Sequence, residues 1–96
     1  MNAFPTVYRP VGAINVAVGA SDAAAASTVP AGVRVARLCS DVDCWVALNT
    51  AAVAGASVFL PQRQPEYIRV DPGDTVHVIT NTAGTTGNLN IVLMDR

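Results

Sequence analysis

The chain has 96 residues, of which 51% are hydrophobic and 14% charged, with a formal net charge of −1. That length supports one buried core and excludes two. All six basic residues are arginines, scattered from Arg9 to Arg96 without a basic stripe, which excludes the usual nucleic-acid footprint, and no apolar run approaches the roughly 20 residues of a membrane helix.

Residues 1–12, MNAFPTVYRPVG, hold Phe4, Tyr8 and two prolines. Pro5 and Pro10 forbid a helix and favour an extended arm. Such an arm, with Phe4 and Tyr8, is expected either to lie across another subunit or to pack on its own domain, which would occupy residues 13–96. INVAV (14–18) alternates apolar and polar positions and reads as a strand. Met1 heads the sequence, and the nearby stretch VGAINVAVGA lacks a basic n-region, so no cleaved leader is expected. AAAAST (23–28) has helical composition but is short and followed by Pro30, and it is read as a strand. PAG (30–32) is a turn. VRVARLCS (33–40) and DCWVALN (43–49) then read as a hairpin, followed by a loop of small residues over 50–56.

SVFLP (57–61) is a short strand closed by proline, QRQP a loop, and EYIRV (66–70) a strand. DPGD (71–74) places Pro and Gly where a tight turn wants them. TVHVIT (75–80), a Gly- and Thr-rich loop (81–88) and LNIVLM (89–94) complete about eight short strands. That spacing predicts an all-β antiparallel sandwich of jelly-roll type. The expected core is Ile14, Val16, Val18, Val33, Val35, Val46, Leu48, Val76, Val78, Leu89, Ile91 and Leu93, which share one phase of the alternation.

LCSDVDCW (38–45) holds both cysteines and the single tryptophan. If Cys39 faces Cys44 across a hairpin, their face is mostly apolar and the thiols are small buried hydrophobes. Facing cysteines on antiparallel strands could also close a disulfide, though around a very small loop. Zinc asks for about four ligands, and two cysteines with a distant His77 do not supply them. In the same register Leu38 faces Trp45 on the outer side, and together with Arg34 they form a candidate intermolecular contact. A slip of one residue exchanges the two faces and would make Leu38 and Trp45 the core.

Other chemistry is weakly signalled. His77 alternates with Val76 and Val78 and reads as a surface or interface residue. Asp71 and Asp74 suit a turn better than a calcium loop. Gly84 and Gly87 lack the strand-to-helix setting of a phosphate loop. No enzymatic activity, metal or cofactor is expected.

The succession INVAVG, VPAGVRVARL, DCWVAL, EYIRVDPGDTVHVI and GNLNIVLM resembles small tailed-bacteriophage structural proteins, over about residues 12–94. Those are β-sandwich virion components, often of the head-decoration or cement type. The shared grammar is that of strands and turns, and it carries no catalytic residue. The cysteine pair and LPQRQP lie outside the pattern. The resemblance implies a homo-oligomeric protein of the virion, assembled in the host cytoplasm. Its partners would be the major capsid protein or other virion subunits, with no direct contact to nucleic acid or membrane. A neck, tail or fibre component and a small carbohydrate-binding module are the alternatives.

Overall fold

The computed structural model describes residues 9–82 and 84–95, so Phe4 and Tyr8 lie outside the described residues. Eight strands and no helix occur among them: β1 (Arg9–Val18), β2 (Ala23–Ala24), β3 (Val35–Ser40), β4 (Cys44–Leu48), β5 (Val58–Leu60), β6 (Glu66–Arg69), β7 (Val76–Thr80) and β8 (Gly87–Asp95). They form two antiparallel four-stranded sheets, ordered β1-β8-β3-β6 and β2-β7-β4-β5. The all-β sandwich expected from the sequence is the fold observed. The sheets are named below by their central strands, β8 and β7.

The arm expected over residues 1–12 ends differently: residues 9–12 already belong to β1, where Arg9 pairs with Asp95 and Pro10 with Met94. The register then shifts by one residue before Gly12. β1 is an edge strand, and a proline plus a bulge disrupt its outer ladder, which blunts an edge against unwanted pairing.

The two Pro/Gly turns meet at one end of the sandwich. Asp74 donates its N–H to the Asp71 carbonyl at 3.0 Å, with φ of 91° at Gly73, a value that glycine adopts without strain. Gly73 N–H then bonds the Val29 carbonyl at 2.7 Å, and Val29 N–H bonds the Asp74 carbonyl at 2.9 Å. The similar segments VPAGVRV and VDPGDTV therefore sit against each other.

β3 and β4 do not form the expected hairpin. They belong to different sheets, and residues 41–43 arch from one to the other. Several polar groups at that crossing are bonded, most of them to residues distant in sequence. Asp41 N–H bonds the Asn88 carbonyl at 3.3 Å, and Asn88 N–H returns to the Asp41 carboxylate at 2.8 Å. Val42 N–H bonds Ser40 Oγ at 3.2 Å, and Asn81 N–H bonds the Asp43 carbonyl at 3.0 Å. The β5–β6 loop clamps the arch from the side, with Gln62 N–H on the Asp43 carboxylate at 2.8 Å and Arg63 N–H on the Ser40 carbonyl at 2.6 Å.

An arch keeps the even positions inward straight through the crossing. Ala36, Leu38, Ser40, Cys44 and Val46 are buried, and Val42 packs on the core between them. The expected phase was right for β4 and inverted for β3. Of the residues expected inside, Val16, Val18, Val33, Val46, Val76, Val78, Leu89, Ile91 and Leu93 are buried, while Ile14 and Leu48 pack half-buried against them. Val35 is a correction: it lies on the outer phase of β3, half-buried in register with Met94 and Arg69, because Ala36 and Leu38 take the inward positions. Arg37 consequently faces outward and needs no buried partner. Leu60 and Val70, at the ends of the two shortest late strands, add to the core. With only three residues in β5, that side of the sandwich stays partly open. An apolar slot of about 140 Å³ lies there between Leu38, Val46, Leu48, Val58, Ile68 and Val76.

Gly87 tests the arch. A Cβ there would lie 2.8 Å from Val42 Cγ2 and would also strike the Asp41 carboxylate. Val42 is β-branched and Asp41 is held by Asn88, so neither can turn aside freely. Gly87→Ala should lose about 1–2 kcal/mol, which for a domain of this size lowers Tm by roughly 5–15 °C. Thermal denaturation followed by circular dichroism reads this directly, and an unchanged Tm would place the arch elsewhere.

Candidate functional site

The outer face of the β7 sheet carries an aromatic pair, Trp45 and Phe59, while the exposed Tyr67 lies on β6 in the other sheet. Register places Phe59, Trp45 and Ile79 side by side on β5, β4 and β7, one row across the sheet. The Trp45 and Phe59 ring centroids are 5.0 Å apart and tilted by 58°. Trp45 Nε1 donates to Asn81 Oδ1 at 2.8 Å, which fixes the indole while its polar edge stays satisfied. Phe59 is 41% exposed and its neighbour Val58 68% exposed, and neither belongs to the buried core.

The next row on the same face is Ala24, His77 and Ala47. Here the 50–57 loop folds back over the sheet. Asp22 holds it: its Oδ1 accepts the Ala52 N–H at 2.8 Å, and its Oδ2 lies 3.1 Å from His77 Nδ1. Ala52 is buried as a result. Burial works to raise the Asp22 carboxyl, but the Ala52 N–H and His77 outweigh it and hold the group below its ordinary value. His77 is thus a loop latch on the face that also carries Trp45.

Trp45 occupies the outer surface that the sequence suggested, but its companions differ. Leu38 is 1% exposed and belongs to the core, so the expected patch of Leu38 and Trp45 does not form, because an arch and not a hairpin joins their strands. Arg34 precedes β3 in the other sheet, where its carbonyl accepts the Val70 N–H at 2.9 Å. Phe4 and Tyr8 lie outside the described residues. Phe59 was missed by sequence reasoning, since SVFLP reads only as a short strand with no indication of which strand it flanks.

The cysteines are free and point opposite ways. Cys44 is buried beside Ser40, and desolvation, reinforced by the charges of Asp43 and Asp41, pushes its thiol up, so it stays protonated and inert. Cys39 lies on the outer phase of β3, opposite Asn90. No group of three or more His, Cys, Asp or Glu side chains could hold a metal among the described residues.

No family model, curated protein or solved structure matches this chain.

The latch makes stability depend on pH. A carboxyl with a depressed folded value stabilises the fold fully above its unfolded value, about 3.9, and loses that contribution as pH falls through the folded value. Asp22→Asn keeps an acceptor for Ala52 but loses the charge facing His77. Its Tm should lie below wild type at pH 6 and converge on wild type toward pH 3. A gap that stays constant over that range would contradict the latch.

Proposed function

We propose that the chain is a structural virion subunit of the head-decoration or cement type. It would bind capsid subunits through the row of Phe59, Trp45 and Ile79. The observation that carries the reading is the Trp45 and Phe59 pair, held outward by Asn81 on a sandwich whose core does not use it. A fixed tryptophan beside an exposed phenylalanine is the usual anatomy of a protein-contact anchor, and truncating such an anchor costs about 2 kcal/mol or more. The phage setting rests on the sequence resemblance over residues 12–94. Major capsid protein is the proposed partner, with self-association around the particle, and a neck or fibre position is the variant of the same reading at low copy number.

A carbohydrate-binding module would use the same aromatics, as sugars stack on flat faces. The 58° tilt between the two rings gives no common plane, which favours a protein partner over a sugar ring.

Trp45→Asp and Phe59→Asp should stay folded by circular dichroism. Each should bind purified phage particles lacking the protein at least about 30-fold more weakly than wild type, the equivalent of about 2 kcal/mol. Binding at wild-type strength would remove the row from the contact. Unfolding of both variants would assign the row to the fold itself.

A further inference from the structure

The opposite sheet carries a second surface. We propose that the outer face of the β8 sheet holds an oxyanion-binding cleft, built on Arg37 and Arg63, for a carboxylate or phosphate group. The cleft has a volume of about 250 Å³ and is lined by the two arginines with Cys39, Asp41, Asn88 and Asn90. Arg37 stands half-buried at mid-strand between Tyr67 and Val92. Arg63 reaches the same cleft from the β5–β6 loop. Neither side chain has an ion pair or hydrogen bond among the described residues. Two guanidinium groups at one cleft repel each other, and an anion between them removes that repulsion while accepting paired N–H donors.

The backbone of Arg63 gives an independent reason to read its side chain as functional. Left-handed φ occurs at Gly32, Gly55, Gly73 and Gly84, and otherwise only at Asn49 and Arg63 among the described residues. Asparagine tolerates that region, whereas arginine at a φ of 58° gives up about 1–2 kcal/mol. The bond from Arg63 N–H to the Ser40 carbonyl holds the residue there, and any side chain would keep that bond. The fold therefore asks for glycine at this position, and the cleft supplies the reason for arginine.

The remaining lining fits an anion. Asn88 and Asn90 each donate one amide N–H to Asn15 Oδ1 at 3.1 Å, which leaves the second N–H of each amide for a ligand. Asp41 is the one carboxylate present, and its Oδ1 is taken by the Asn88 N–H, so the cleft keeps a net positive charge.

The test uses the full-length ¹⁵N-labelled protein titrated with inorganic phosphate and, separately, with a capped triglutamate peptide. The Nε–H signals of Arg37 and Arg63 and the Asn90 side-chain amide should shift together and saturate. Arg37→Gln should weaken the response at least about tenfold, as expected for loss of a charge-assisted hydrogen bond. Arg34→Gln removes the same charge outside the cleft and should leave it unchanged. Saturation by phosphate alone identifies a phosphate source, and by the peptide alone a carboxylate from a protein partner. Arg63→Gly should lose binding while Tm holds or rises. The proposal is overturned if neither probe saturates, if Arg34→Gln weakens binding as much as Arg37→Gln, or if Arg63→Gly lowers Tm and leaves binding intact.

Discussion

The structure depends on one crossing. Between Ser40 and Cys44 the chain leaves the β8 sheet and enters the β7 sheet, carried by three residues whose polar groups are bonded to Asn81, Asn88 and Gln62, with Arg63 bonded to the Ser40 carbonyl at their entry. Val42 packs half-buried on the core, where a backbone group left without a partner costs about 1–3 kcal/mol when desolvated. Because the crossing preserves the alternation, it sets the inside and outside of both strands at once. Leu38 and Cys44 go to the core, while Arg37 and Trp45 go to opposite outer faces of the sandwich.

Much of this was legible in residues alone. The alternation in INVAV, TVHVIT and LNIVLM places β1, β7 and β8 and most of the core. DPGD and PAG state their turns, because proline and glycine leave few alternatives at those positions. The arch was not legible in the same way. Two cysteines around DVD look like a hairpin tip, and the groups that make it an arch come from residues about 20 to 47 positions away. One local signal did exist: Ala36, Leu38, Val42, Cys44 and Val46 keep an unbroken even phase that a hairpin with facing cysteines would interrupt. The outward position of Trp45 was legible because the alternation of β4 was read in the right phase. Phe59 beside it, and the left-handed Arg63, depend on tertiary placement that no local pattern encodes.

The two candidate surfaces share this origin. Trp45 directly follows the arch, while Arg37 and Cys39 precede it, and Arg63 is pinned to it through Ser40. The proposed aromatic contact on one sheet and the proposed cationic cleft on the other would together let a small protein join neighbours on two sides. Its sparse charge leaves much of the remaining surface small and apolar, as the exposed Val11 and Val53 illustrate.

The opposite orientation of the two cysteines is the most direct consequence of the crossing. Thiol labelling of the reduced native protein with a maleimide, followed by mass spectrometry, measures it. Cys39, half-buried at the outer cleft, should be modified while the protein is folded, and Cys44, fully buried, only after denaturation. Equal modification of both thiols in the native state, or a disulfide between them after mild oxidation of the folded protein, would mean that the strands form a hairpin and that the arch is wrong.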